Sequence, residues 1–474
     1  MPIQRIPFTE WKPDQPAIAE SLLDANNVVP STSGYIPFPS AVNFSNAASE
    51  NITNIIAGKF NSVTQLFAGG ATKLFKFNNT TLDLEDKSKV GGYSGSTRWS
   101  FTQFGGVILA SNYAEKIQAW TINTSTAFAD VNASAPVCKY ITVVRDFVVA
   151  ANISGTPNKV NWSDISDETD WTSGSASQSD YQIIPDGGDI TGITGGEYGL
   201  VLLEKAIYRM SYIGSPFFFQ FDAISRNLGC IDGGSVAQYA GITYFLSDDG
   251  FYACDGKSIT PIGAEKVDKY FYANLNISTI STMSSTIDPV RKIVIWNYPT
   301  TSGGRELLVY NWQIQRWSRC ATTSSYLGTA ASSGFTLENI GTLYASLELV
   351  PASLDSRIWT GGKYILGGMT DTKIITFNGD NTTANLITSD VEQGYNSVVT
   401  LARPITDNGA GTVAIASRRE LDDTIAFTTA ASSGEGTRVP LRSAGRYHRL
   451  SVTPTGNWTT AIGVDINIEP QGNR

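Results

Sequence analysis

The chain has 474 residues and a formal net charge of −9, with 41% hydrophobic, 11% aromatic and only 16% charged residues. That apolar content is enough for a sizeable core, which excludes general disorder, and the acidic balance excludes a broad basic footprint for nucleic acid or an anionic membrane. One histidine, His448, excludes any single-chain site that needs two, and four cysteines without CxxC spacing (Cys138, Cys230, Cys254, Cys320) exclude a zinc knuckle or dithiol redox motif.

The length suggests two to four domains. The opening MPIQRIPFTEWKPDQPAIAE has no basic stretch followed by an apolar run, so it does not read as a secretory signal. No stretch approaches 18 apolar residues, so no membrane-spanning segment is expected. The eleven Asn-x-Ser/Thr sequons then read as a by-product of Asn/Ser/Thr-rich loops, and the cysteines as reduced and partly buried. Synthesis and folding in a cytoplasm are expected.

Residues 1–60 are rich in proline and read as an extended N-terminal arm. Within it, Ala17–Asn26 has Ile18, Leu22 and Leu23 at helical spacing and predicts a short helix. The arm is expected to strap across a neighbouring subunit, so that deleting residues 1–35 would weaken assembly more than monomer folding.

Residues 61–380 carry a repeat. An apolar β-type run, a short turn and a second β-type run recur, the second runs beginning near Lys73, Lys116, Lys159, Ile207, Phe251 and Leu307. Spacings of 43, 43, 48, 44 and 56 residues, with paired strands, are the signature of β-propeller blades. The turns AGGA (68–71), NYAE (112–115), SGTPN (154–158), EKA (204–206), DDG (248–250) and TTSGGR (300–305) supply the residues that tight hairpins need. Continuous apolar runs such as YGLVLLE and RKIVIWN suit strands buried on both faces between blades. Six repeats are evident, and YILGGMTDTKIITF (364–377) is a candidate seventh. Residues 381–474 alternate apolar runs with Gly/Ser/Asp turns and read as a separate small β-sandwich. The fold class is therefore all-β: a propeller of six or seven blades with an arm and a C-terminal β domain.

Candidate chemistry is sparse. Asp164, Asp167, Glu168 and Asp170 in WSDISDETDW lack the alternation, central Gly and terminal Glu of a calcium loop, and read as a solvated turn between packing residues Trp162 and Trp171. Asp248 and Asp249 would interest a glycosidase, but a hairpin turn accounts for them, as it does for Glu204 and Lys205. His448 between Arg446 and Arg449 reads as a strand-surface packing or interaction residue. The Gly-rich GGDITGITGGEYG lacks GxxxxGK[ST] and a following helix, so it is no phosphate loop. The basic pairs Arg418–Arg419 and Arg446–Arg449 are too sparse for a nucleic-acid surface. No catalytic, cofactor-binding or metal-binding residue is assigned, and no enzymatic activity or cofactor is expected.

The stretch NWSDISDETDW, then IIPDGGDITGITGGEYGLVLLEKAIYRMSYIGSP, resembles tail proteins of short-tailed bacteriophages, specifically the propeller-type packaged-DNA stabilisation (head-completion) and tail-nozzle proteins. Similar texture recurs in NLGCIDGGSVAQYAGITYFLSDDGFYACDGKSITPIG, VYNWQIQRWS, SLDSRIWTGGKYILGG and GRYHRLSVTPTGNWTTAIGVDI. The resemblance implies a structural virion protein in the phage tail. Subunits would form a ring of six, a tail hub or nozzle beneath the portal and its adaptor, contacting fibres, spikes or a needle. The ring would retain packaged DNA and conduct it during ejection without sequence-specific binding. It carries no functional residue over, because the family works through surfaces and loops. Two other readings stand beside it. One is a carbohydrate-active propeller, a glycosidase or lectin acting on host surface glycans. The other is a cellular scaffold of kelch or WD40 type, whose repeat motifs are not evident.

Overall fold

The computed structural model describes residues 3–95, 98–331, 346, 348, 350, 364–434 and 437–471. Among them, six four-stranded antiparallel sheets stand alone, and a further four-stranded set opens a larger fourteen-stranded sheet. In chain order the blades are residues 52–86, 100–130, 138–183, 190–225, 237–261 and 284–322; the seventh combines Tyr326–Ala331, Tyr364–Thr370 and Lys373–Asn381 with Pro39–Asn43. The candidate seventh repeat is thus a blade. Its late position follows from residues 332–363 separating its first two strands; the SLDSRIW part of the resembling segment lies outside the described residues.

Seven apolar clusters account for the ring, each spanning the interface of two neighbouring blades, and the largest extends into the arm and the C-terminal strands. A strand's side chains alternate between its two faces, so a fully apolar strand serves two interfaces. In the fourth blade Leu200 and Leu202 meet Phe245 and Cys254 of the fifth, whereas Val201 and Leu203 meet Val149 and Trp162 of the third. In the sixth, Ile293 and Ile295 face Leu366 and Ile375 of the seventh, while Val294 and Trp296 face Tyr244 and Phe251 of the fifth. This is why GLVLL (199–203) and IVIW (293–296) carry no polar side chain. Asparagines at the ends of second strands add a polar staple to the next blade: Asn152 Nδ2 donates to Ile190 O at 2.8 Å, and Asn297 Nδ2 to Ser324 O at 2.9 Å.

The hairpins fall where the turn residues put them, with small adjustments: Thr156 already opens the strand after Ser154–Gly155, and Arg305 the strand after Thr300–Gly304. The strand holding AGG runs on to Gly70, so the turn is shifted towards Lys73.

The N-terminal segment differs from expectation. Leu22–Asn26 is a strand, not part of a helix. It lies between two sheet edges, antiparallel to Asn385–Thr388 and bridging in parallel to Arg319. Those pairings, with Leu22 and Ala25 fully buried and Ile18 exposed, override the local helical spacing. Nor does the arm end at residue 60: Pro39–Asn43 is the outer strand of the seventh blade, and Ile52–Phe60 is the inner strand of the first. The remaining arm strands join the C-terminal domain, Ile3–Pro7 pairing along Ala461–Pro470 and the Val28–Pro37 hairpin meeting it at Ala461.

The C-terminal strands are consequently not a separate sandwich. They continue through Leu22–Asn26 into the sixth blade as one sheet. One cluster buries Trp11 and Tyr35 of the arm, Phe251 and Trp296 of the propeller, and Val413, Val452 and Ile466 of the C-terminal strands together. An arm packed this way is part of the monomer's core, so the expectation that its loss would spare monomer folding does not survive.

Candidate functional site

The inner strands converge on an axial cavity of about 1160 Å³. All seven blades line it, for example through Asn54, Ser100, Tyr140, Thr194, Gln238, Ser285 and Gly328. Its charged lining includes Arg98, Lys139, Asp189 and Asp232, two of each sign. Arg98 Nη1 donates to Met283 O at 2.9 Å. Burial lowers the Arg98 pKa, with Asp232 working in the opposite direction. Burial raises the pKa of Asp232, which accepts from Gly234 N at 2.7 Å and is opposed by the Arg98 charge.

The backbone approaches closely here. A Cβ on Gly234 would come within 2.0 Å of Met283 O, and one on Gly233 within 2.4 Å of Thr191 O. Glycine is therefore required where the fifth blade begins. Arg98 and Arg305 both lie 5.8 Å from the ring centroid of Tyr326. Arg305 also donates to Thr282 O at 2.8 Å and Asn297 Oδ1 at 2.9 Å. The axis is thus stitched by cation–π and charge-assisted bonds between blades.

The residues singled out in the sequence are spread over the molecule. Asp164, Asp167, Glu168 and Asp170 form the connection between the third and fourth strands of the third blade. Asp167 Oδ1 accepts from Thr169 N at 2.8 Å, Asp164 Oδ1 accepts from Gln178 N at 2.7 Å, and Trp162 and Trp171 are buried beneath. Asp248 and Lys205 occupy neighbouring blades' turns and pair at 2.5 Å; Asp249 accepts from Tyr252 Oη at 2.8 Å. No group of three His, Cys, Asp or Glu arranged to hold a metal occurs among the described residues.

His448 is fully buried rather than on a strand surface. Its Nε2 lies 2.7 Å from Ser397 Oγ and its Nδ1 2.7 Å from Ser417 Oγ. Burial lowers its pKa to about 4. Val439–Pro454 runs between Val391–Thr406 and Gly411–Arg418, and each flanking strand supplies one of the two serines that hold the ring. Between about pH 4 and the unfolded value of about 6.5, the unfolded chain takes up a proton that the native chain refuses. This group's stabilisation is therefore complete above that window and falls on acidification through it. Moving from pH 7.5 to 5 should cost the wild type about 2 kcal/mol more than H448Q, read from urea unfolding at both values.

Three of the four basic residues are engaged internally. Arg418 and Arg449 both bond Asp390, Arg449 at 2.9 Å, and Arg446 pairs with Glu392 at 2.5 Å. Sequence reasoning did not single out Arg98 or Asp232, although Asp232 lies within the quoted NLGCIDGGS stretch. The stapling asparagines were findable, since Asn152 and Asn297 end comparable apolar runs, VVAAN and IVIWN.

No family model matches the chain, and no curated protein matches it. Among solved structures it is similar to BamB from Moraxella catarrhalis (11% identity, TM-score 0.38, covering 80% of this chain and 98% of that one). It is also similar to the Neurospora crassa Pan2 WD40 domain (8%, 0.41, 71% and 95%) and to YCF48 bound to D1 peptide (9%, 0.40, 72% and 96%). The assignment as a β-propeller rests on the chain's own sheets and inter-blade cores.

Proposed function

We infer that this chain is a structural virion protein of a short-tailed phage, a tail hub or nozzle subunit in a ring of six around the DNA exit channel. The observation that carries the reading is the ordered resemblance of residues 161–171, 183–216 and 227–263, which occupy the third to fifth blades, to the propeller-type head-completion and nozzle proteins.

Physical properties support the role. Mutually buried blades make a stiff wall for a pressurised conduit. Six copies would carry a formal charge of about −54, which repels phosphate and avoids the counterion release that would brake a sliding duplex. In the C-terminal strands Arg418 and Arg449 are neutralised by Asp390, and Arg446 by Glu392. DNA retention would then depend on steric closure by loops.

Electron microscopy of the purified protein, or of virions containing it, should show a sixfold ring with a central hole. In a binding titration at moderate salt, duplex DNA should not associate tightly. Tight DNA binding would remove the acidic-conduit account, and turnover on a glycan panel would replace the reading with the carbohydrate-active one.

A further inference from the structure

The arm meets the fifth blade at the one α-helix among the described residues, α1 (Asp268–Asn274). Asp14 of the arm caps it, accepting from Lys269 N at 2.9 Å and Tyr270 N at 2.8 Å. Trp11 packs edge-on against Tyr270 with centroids 5.2 Å apart. Next to this cap the Asp268 carboxyl is buried in a cradle of two glycines. A Cβ on Gly250 would fall 2.2 Å from Asp268 Oδ2, and one on Gly263 2.0 Å from Oδ1. Its hydrogen-bond donor is Phe251 N at 3.2 Å.

The charges acting on Asp268 are Asp14 from the arm and Asp249 from the DDG turn, with Tyr252 of the fifth blade and Tyr272 of α1 beside it; Lys269 follows it on α1. Of the nearby lysines, Lys266 pairs with Glu10 at 2.7 Å and Lys205 with Asp248. A carboxyl walled in by backbone, with two more carboxylates beside it, is stable there when neutral.

We propose that Asp268 is a proton-controlled latch for the N-terminal segment: protonated, it tolerates Asp14 on the end of α1, and ionised, it repels Asp14 and loosens the turn at residues 12–15 from α1, while Trp11 and Leu22 stay in the core. Burial, reinforced by Asp14 and Asp249, raises its pKa to about 7, so the latch would work near neutrality. A raised carboxyl pKa stabilises the docked form fully below the unfolded value of about 4, and that contribution disappears as pH rises through about 7.

Hydrogen exchange at Lys269 and Tyr270 N–H, the two amides bonded to Asp14, reads the latch directly. After correction for intrinsic rates, their protection should fall about tenfold between pH 6 and 8.5 in the wild type and stay within about twofold in D268N. An equal fall in D268N, or no fall in the wild type, overturns the proposal. Should D268N fail to fold, D14N, which keeps an oxygen acceptor and removes the charge, takes its place: protection of the same two amides changing by no more than about twofold supports the latch, and a larger fall overturns it.

Discussion

Removal of residues 1–35 is expected to abolish the folded monomer, leaving a chain with no cooperative unfolding transition. The deleted segment contains Phe8, Trp11, Leu22, Val28 and Tyr35, all at most 3% exposed. Each buried side chain of this size contributes roughly 1.5–3 kcal/mol, so the five together rival the whole stability of an ordinary domain. Polar losses add to this. Ser318 Oγ donates to Val28 O at 2.7 Å and Asn311 Nδ2 to Pro30 O at 3.0 Å, both buried, and both would lose their partner. The strand Leu22–Asn26, which joins the sixth blade to the C-terminal domain, would disappear as well. Circular dichroism and size exclusion of the truncated chain provide the check. A truncated monomer with an unfolding midpoint close to that of the full chain would show that the arm is dispensable.

The second large effect is expected at Arg319. Its guanidinium grips Asp24 with two bonds, at 2.6 and 2.9 Å, and Glu306 with a third at 2.7 Å. Glu306 also accepts from the hydroxyls of Tyr298 and Tyr270. Asp24 belongs to the arm and Glu306 to the sixth blade, so one cation ties the two together across 282 residues of chain. R319M would leave two mostly buried carboxylates facing each other without a counter-charge. Breaking a buried pair from one side costs about 3–5 kcal/mol, whereas replacing all its charges can be nearly neutral. Urea unfolding should therefore show R319M destabilised by about that amount and the triple variant D24N/R319M/E306Q substantially recovered. An R319M chain within 1 kcal/mol of wild type would mean that solvent already screens this cluster.

The blades were legible because their signals are local. Apolar runs of five to seven residues report burial on both faces, and the turns at Ser154–Gly155, Glu204–Lys205 and Asp248–Gly250 report chain reversal within a few residues. Both survive in any context. His448 shows where that legibility stops. Its neighbours Arg446 and Arg449 suggest a surface, yet the position alternates inward and is covered by strands from elsewhere in the chain. The helix expected over Ala17–Asn26 failed for the same reason: spacing records which residues are apolar, and the choice between helix and strand went to the edges available for pairing. Arg98 and Asp232 lie 134 positions apart and share no pattern that would mark them as neighbours.

The amino-acid sequence by itself determined an all-β chain of tandem four-stranded units, because period, turn chemistry and composition act over tens of residues. Only the tertiary structure decided that the first 43 residues close the ring's last blade and fuse the propeller to the C-terminal strands. The partner of a sheet edge is selected by the free energy of covering that edge, and across more than 300 residues this selection leaves no mark in the local pattern of either strand.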